Sequence, residues 1–278
     1  DDSVPNDLDH PDTREALESL FGDRLNGGVV MHGGFFLGPQ AFYQRLRELD
    51  DDTRAAINMT RVNIINDLYG GEDLRILQRR DARFVNTAFT ATLLGAAVSD
   101  QLEDGRVLSG VGGQYNFVSQ AHELPGARSI LMTRAWRERG GEAASNVLFS
   151  YAHNTIPRHL RDMVITEYGV ADLRAKTDEE VVKALINIAD SRFQSDLLRS
   201  AKAAGKLAAD YQIPAAYREN SAARIRRDVA WAQSRKMMPS YPFGCDFSDD
   251  ELRAAKALKT LASLPWWQTV LLALKPEH

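Results

Sequence analysis

Short apolar segments alternate with helical segments along the first 204 residues, and this alternation constrains the fold more than any other feature of the sequence. The main predicted strands cover residues 83–88, 129–133 and 163–166. The main predicted helices cover residues 72–79, 114–122, 179–189 and 192–204. Alternating strands and helices are typical of an α/β domain built on a largely parallel sheet. We therefore predict a parallel-sheet domain flanked by helices over residues 13–204.

Both ends of the chain differ in character from this domain. Residues 1–12 are polar and acidic and are predicted to be disordered or a linker. Residues 205–278 contain prolines and scattered aromatics and are predicted to form an extended C-terminal arm with helices. The helices expected in this arm lie near 221–235, after Ser248, which Glu251 would join in a capping box, and over 264–274 as a short core or interface helix.

Several weaker patterns predict further elements in the N-terminal half. They are a helix over 13–21 capped by Asp12, a buried strand over 27–37, a helix over 40–49, a strand over 59–65 and a short strand over 106–108.

The composition excludes several classes of protein. The 34 Lys and Arg residues against 38 Asp and Glu residues give a net charge of −4, which argues against general nucleic-acid binding. Cys245 is the single cysteine, so the chain cannot form an internal disulfide or a Cys-based zinc site. The histidines show no H-E-x-x-H spacing, and no metal site is predicted. No apolar run reaches the roughly 20 residues of a membrane span, so no membrane partner is predicted.

A glycine-rich turn over residues 106–117, RVLSGVGGQYNF, is one of two segments that indicate chemistry. A strand-like stretch leads into the turn and the turn opens a helix, so backbone N–H groups can face an anion or a developing oxyanion. Tyr115 replaces the third glycine of a dinucleotide fingerprint, and the Lys of a P-loop is missing. A purely structural turn is the alternative interpretation.

The second segment is residues 163–174, MVITEYGVADLR, in which Glu167 directly follows a short apolar strand. Ligands of open α/β sheets bind beyond the carboxyl ends of the strands, so this carboxylate is well placed for acid–base or polar positioning work. Alternatively, Glu167 caps a turn or pairs with Arg174. The serine nucleophile elbow of esterases is absent because the chain contains no G-x-S-x-G motif. The basic cluster of Arg158, His159 and Arg161 indicates a solvated face or, less commonly, an anion-facing loop.

Together these segments resemble the acetyl-CoA hydrolase / 4-hydroxybutyrate CoA-transferase family. Residues 109–117 match its S-G-[IV]-G-G-Q-x-[DN]-F stretch, and residues 164–173 match its V-[VI]-T-E-Y-G-[VI]-A-D-L stretch. Residues 84–88 and 185–193 resemble two further family segments. The resemblance implies a CoA-transferase-like, NagB/RpiA-like α/β fold and chemistry on acyl-CoA thioesters. Coenzyme A would be a substrate, with no tightly bound cofactor.

The resemblance also implies roles for individual residues. Its glycine element, which contacts CoA and the oxyanion, would correspond to Gly110, Gly112, Gly113 and Gln114. The family's second active-site glutamate would be Glu167, and its site asparagine would be Asn66.

The nucleophilic glutamate of the family sits in an H-[ST]-E motif, which this sequence lacks and which we expect upstream of residue 1. The chain is therefore expected to be a C-terminal domain. Its expected partners are an acyl-CoA, a small carboxylate and an N-terminal domain of the parent protein, in the cytoplasm, and a homo-oligomer is compatible with them. The alternative function is a catalytically silent CoA-binding or regulatory domain.

Overall fold

The computed structural model describes residues 5, 7, 9–21, 28–242, 244–265 and 267. The chain divides into two compact units, one of residues 1–59 and 238–278 and the other of residues 60–237. Every candidate site residue belongs to the second unit. The predicted domain boundaries after residues 12 and 204 stay predictions.

The N-terminal part of the first unit consists of short elements. They are α1 (Pro11–Leu20), β1 (Met31–Gly33), α2 (Gln40–Arg47), α3 (Asp51–Ala55) and β2 (Ile57–Met59). Strands β1 and β2 pair in parallel, with Met31 opposite Ile57. Helix α1 is capped by His10, whose side chain accepts the Asp12 N–H, so the predicted cap at Asp12 is wrong.

The second unit contains the elements that position the candidate site. Its first half consists of α4 (Val62–Asn66), α5 (Glu72–Gln78), β3 (Arg83–Thr87), β4 (Thr90–Thr92), β5 (Ala97–Val98), α6 (Gln114–Glu123) and β6 (Arg128–Met132). Its second half consists of β7 (Trp136–Arg139), β8 (Glu142–Ser145), β9 (Val147–Leu148), β10 (Met163–Thr166), β11 (Gly169–Asp172), α7 (Asp178–Asn187), α8 (Ser191–Ala203) and α9 (Ala222–Ser234). Helix α10 (Asp249–Ser263) belongs to the first unit.

The main sheet has the order β11-β10-β6-β3. Strands β3, β6 and β10 are parallel, and β11 turns back antiparallel to β10. The largest apolar core lies where residues of β10 and β11 pack with α7 and α8, and Leu173, Leu185 and Ile186 are fully buried there. The predicted α/β architecture with a parallel sheet is confirmed.

Three predicted strands of the N-terminal half are corrected. In the predicted buried strand 27–37, only β1 is a strand and it is largely exposed; Gly27 lies outside the described residues. Residues 106–108 form a single bridge between Val107 and Gln101. The predicted strand 59–65 is divided between the end of β2 and helix α4.

Helix α4 forms because distant side chains bind its last carbonyl groups. Arg79 donates to the carbonyl of Ile64 at 2.8 Å, and Gln120 donates to the carbonyl of Asn66 at 2.7 Å. The β-branched residues Val62, Ile64 and Ile65 favour a strand locally, and these tertiary hydrogen bonds outweigh that preference.

A buried carboxylate connects three strands of the main sheet. The Asp162 side chain is fully buried, binds Arg128 at 2.7 Å and Arg174 at 2.6 Å, and accepts the Ser129 N–H at 2.6 Å. Arg128 begins β6, Asp162 precedes β10 and Arg174 follows β11. Arg174 therefore pairs with Asp162 and not with Glu167, which was one of the alternatives left open above.

The basic residues Arg158 and Arg161 also have an acidic partner. Both bind Asp178, at 3.1 and 2.9 Å. The hydrogen bonds from Arg161 and Arg158 lower the pKa of the Asp178 carboxyl. This pairing favours the structural interpretation of the cluster over an anion-facing loop.

The C-terminal elements agree with several predicted features. Ser221 caps α9, and Ser248 caps α10 with Glu251 in the predicted capping box. Asn220 is fully buried and donates to the carbonyl groups of Asn187 and Ala189.

The predicted extended arm stays a prediction. Most of the predicted helix 264–274 lies outside the described residues. No helix within the described ranges is long and apolar enough to cross a membrane.

Candidate active site

The two segments singled out in the sequence reach the same edge of the main sheet. Thr87 at the end of β3 is opposite Met132 at the end of β6, and Met132 is opposite Ile165 near the end of β10. Glu167 follows β10 directly. The Gln114 amide donates to the carbonyl of Thr87 at 3.1 Å, which attaches the start of α6 to the same edge. Strands β3 and β10 lie two spacings apart, about 10 Å.

The glycine turn opens α6 without any side-chain cap. Gly112 has φ +62°, a left-handed conformation that favours glycine, and Gly113 is the N-cap residue. Because no side chain caps this helix, the N–H groups of its first turn are available to a ligand. Gly110 and Gly112 are exposed, with no atom within 4 Å of the position of a Cβ. Gln114 is buried.

Asn66 and Gly113 are in direct contact. A Cβ at Gly113 would lie 2.5 Å from Cγ and 2.8 Å from Oδ1 of Asn66, so the carboxamide occupies the space that any other residue would need. The Asn66 side chain forms no hydrogen bond to the rest of the described chain. Its amide and the N–H groups of the turn are thus adjacent donors.

We expect Gly113→Ala to displace Asn66 or the turn and to lower the affinity for acyl-CoA at least tenfold. The physical reason is the overlap of the added methyl group with a half-buried carboxamide. Isothermal titration of the chain with an acyl-CoA measures the effect. Equal affinities for the Gly113→Ala variant and the unmodified chain would contradict the expectation.

The Glu167 carboxylate is exposed and accepts the backbone N–H of Ala135 at 2.8 Å. Ala135 comes shortly after β6, so this bond connects the ends of two adjacent parallel strands. The bond holds one carboxylate oxygen and leaves the other for a ligand. Of the alternatives considered above, a turn-stabilising contact is present, and it is compatible with a positioning role.

A side-chain network connects the residues next to both partners of this bond. Tyr168, next to Glu167, donates to Asp190 at 2.7 Å, and Arg192 binds the same carboxylate at 2.8 Å. The Arg192 guanidinium also lies 4.3 Å from the ring centroid of Trp136, next to Ala135. The network therefore connects the residues that follow Glu167 and Ala135.

The surroundings of Tyr168 and Asp190 shift the pKa values of both groups. Burial and the hydrogen bond to Asp190 raise the pKa of the Tyr168 hydroxyl. Burial opposes ionisation of Asp190, but the hydrogen bonds from Arg192 and Tyr168 lower its pKa below the ordinary value. At neutral pH Tyr168 is a donor and Asp190 is an anion, which fits the observed geometry.

One polar residue at this edge was not singled out from the sequence. The Nδ2 atom of Asn86 is buried and has no hydrogen-bond partner in the described part of the chain. Asn86 shares a strand face with Phe84. The Phe84 ring stacks on that of Phe117 in α6, with 5.7 Å between the ring centroids. An unpaired buried donor is costly unless a ligand uses it. The sequence could have pointed to Asn86 because this residue lies in residues 84–88, which resemble a segment of the family.

A family model described as the acetyl-CoA hydrolase/transferase C-terminal domain matches residues 38–201. This match covers more than half of the chain and includes the turn, Asn66 and Glu167. The chain belongs to this family, as its sequence motifs indicated.

Curated relatives agree with this assignment. The chain is 31% identical over 135 residues to a 4-hydroxybutyrate coenzyme A transferase of Clostridium kluyveri, covering 48% of this chain and 31% of that protein. It is 26% identical over 174 residues to a butyryl-CoA:acetate CoA-transferase of Anaerostipes caccae, covering 61% of this chain and 36% of that protein. The chain thus spans about a third of the length of these relatives.

A solved structure shares part of the architecture. RipA from Yersinia pestis is 26% identical, covers 61% of this chain with 36% of its own length, and superposes with a TM-score of 0.50.

Within the described residues, no group of three or more His, Cys, Asp and Glu side chains could hold a metal ion.

Proposed function

We propose that the chain is the C-terminal domain of an acyl-CoA transferase or acyl-CoA hydrolase that acts on short acyl-CoA thioesters. The observation that carries this proposal is the contact of Asn66 with Gly113 at the sheet edge that Glu167 also reaches. Two kinds of uncharged N–H donor meet there, at the sheet edge that also carries a carboxylate. Preorganised donors of this kind stabilise the oxyanion that develops when a thioester carbonyl is attacked.

In the proposed mechanism, the turn and the Asn66 amide bind the thioester oxygen and Glu167 positions the incoming carboxylate. A glutamate outside this chain attacks the thioester carbonyl and expels the CoA thiolate. An acyl-glutamyl anhydride forms. The thiolate then attacks the glutamyl carbonyl, releases the acyl carboxylate and forms a glutamyl-CoA thioester. A second carboxylate then attacks the glutamyl-CoA carbonyl and expels the thiolate, which attacks the acyl carbonyl of the resulting anhydride, so that a new acyl-CoA forms and the glutamate is regenerated. Water that attacks the glutamyl-CoA thioester instead releases free CoA and the glutamate, which completes hydrolysis.

The proposal extends to the surroundings of the domain. A longer cytoplasmic parent protein would provide the nucleophile on an N-terminal domain, and the fold would be of the NagB/RpiA-like type. The chain matches only about a third of the length of its relatives, and this supports a parent protein with a further domain. CoA would act as substrate, without a tightly bound cofactor.

We expect the 278-residue chain to bind acyl-CoA but to show negligible transfer by itself, because Ser109 and Cys245 lie in no nucleophile motif. Borohydride reduction after exposure to acyl-CoA should modify no glutamate in this chain. The longer parent should show one reduced glutamate upstream. A glutamyl-CoA adduct within residues 1–278 would overturn the assignment of the nucleophile.

An acyl-CoA panel assayed with the parent, with and without acetate, separates the two reactions. Thioester loss in water alone identifies a hydrolase, and dependence on acetate identifies a transferase. Acyl-CoA binding without either reaction would identify the silent CoA-binding domain and contradict the proposal.

A further inference from the structure

The segment that carries Asn66 is held in place by side chains that are distant in the sequence. Helix α4 has only 5 residues, no side-chain cap at its start, and β-branched residues that favour a strand. A helix this short is unstable by itself. Since Asn66 is the last residue of α4, the contacts that keep α4 helical also set where the Asn66 side chain lies.

Two arginines bind backbone carbonyl groups on either side of Asn66. Arg79, which follows α5, donates to the carbonyl of Ile64 at 2.8 Å and to that of Asp67 at 3.0 Å. Arg75, four residues earlier, donates to the same Asp67 carbonyl at 3.1 Å. These bonds fix the backbone before and after Asn66.

Gln120 of α6 binds the backbone of Asn66 itself. Gln120 is 2% exposed, and its Nε2 atom donates to the carbonyl of Asn66 at 2.7 Å. Its Oε1 atom accepts an N–H of Arg79 at 2.7 Å. The buried amide thus uses both of its polar ends, and Arg79 orients it toward α4.

One stripe of α6 contacts this segment along its length. Gly113, Asn116 and Gln120 follow one another at spacings of three and four residues, which share one helix face. Gly113 lies against the Asn66 carboxamide. The Asn116 amide donates to the Asp67 carboxylate. The helix that opens at the glycine turn therefore also determines how far the Asn66 amide lies from that turn.

We infer that Gln120 is a positioning residue, which holds the Asn66 amide beside the N–H groups of the glycine turn so that both reach one oxyanion. The inference rests on the proposed acyl-CoA function and adds a residue to its site. An oxyanion donor is effective only where it is preorganised at the developing charge. A displacement of about 1 Å can cost about 100-fold in rate.

The test measures kcat and KM of the full-length parent with Gln120→Met and with Gln120→Glu. Gln120→Met keeps the approximate size of the side chain and removes both hydrogen bonds. Gln120→Glu keeps an acceptor for Arg79 and removes only the donor to the Asn66 carbonyl. We expect kcat to fall about 10- to 100-fold in both variants, and KM for acyl-CoA to change less than about twofold, because the Asn66 amide acts on the transition state.

Gln194→Met is the matched control for the loss of a buried amide. Gln194 is 4% exposed and donates to two backbone carbonyl groups, of Ile186 at 3.0 Å and of Tyr217 at 2.9 Å. Its substitution should lower the melting temperature about as much as Gln120→Met does, and should leave kcat unchanged. An equal fall of kcat in both variants would show that activity follows stability, which overturns the positioning role.

A double-mutant cycle tests whether Gln120 acts through Asn66. In the Asn66→Ala background, Gln120→Met should change kcat by less than about twofold, because the group that Gln120 positions is already missing. Effects of the two substitutions that multiply would show that Gln120 acts independently of Asn66 and overturn the inference.

Amide hydrogen exchange of the 278-residue chain gives a readout that needs no activity. Exchange in residues 62–67 should accelerate about tenfold or more in both Gln120 variants and stay unchanged in Gln194→Met. Unchanged exchange in the Gln120 variants overturns the inference.

The outcomes separate this inference from the function on which it rests. An active parent whose kcat is the same with Gln120→Met overturns the positioning role alone and leaves the proposed function in place. An unmodified parent that consumes no acyl-CoA thioester overturns the proposed function together with the inference.

Discussion

Replacing Asp162 by alanine is expected to lower the free energy of unfolding of the chain by about 3 to 5 kcal/mol. The Asp162 side chain is fully buried, and its removal leaves Arg174 without its carboxylate and the Ser129 N–H without its acceptor. Arg128 would keep only Asp172, at 2.6 Å. Such a loss is a large fraction of the net stability of a domain. Urea denaturation followed by circular dichroism measures it.

Asp178→Ala is the matched control for this prediction. Asp178 also binds two arginines, but 36% of its side chain is exposed. After the carboxylate is removed, water solvates Arg158, which is 54% exposed, and Arg161 keeps its hydrogen bonds to the carbonyls of Leu94 and Lys176. We therefore expect a loss of about 1 kcal/mol or less. Equal losses at the two positions would show that burial of Asp162 does not determine its effect.

Asn66→Ala is expected to lower turnover of the full-length parent by two to three orders of magnitude, with little change in melting temperature. A donor that binds the developing oxyanion contributes roughly 3 kcal/mol to transition-state stabilisation. The Asn66 amide lies against Gly113 and has no other partner within the part of the chain that is described, so its removal costs little folding stability. The loss should appear mainly in kcat, measured with saturating acyl-CoA.

Two further variants make this prediction specific. Asn63→Ala removes an exposed amide from the same helix and should leave turnover unchanged. Asn86→Ala removes the buried, unpaired amide at the end of β3. A rate that falls with Asn86→Ala but not with Asn66→Ala would identify Asn86 as the oxyanion donor and contradict the role proposed for Asn66.

The strands β3, β6 and β10 were predicted to within a residue or two because each combines apolar or β-branched residues with a clear boundary. The glycine turn before α6 and the position of Glu167 directly after β10 were equally readable. The same reasoning failed at 59–65. There the segment has strand propensity, but Arg79 and Gln120 stabilise a helix from positions distant in the sequence.

The sequence by itself determined the family, the α/β class and the positions along the chain of the strands that end at the site, because local apolar patterns and contiguous motifs encode them. Only the tertiary structure decided which polar groups meet. It placed Asn66 against Gly113, 47 positions away in the sequence, and gave Arg174 to Asp162 instead of Glu167. These pairings depend on distances between elements that are remote in sequence, and the packing of the sheet with its helices sets those distances.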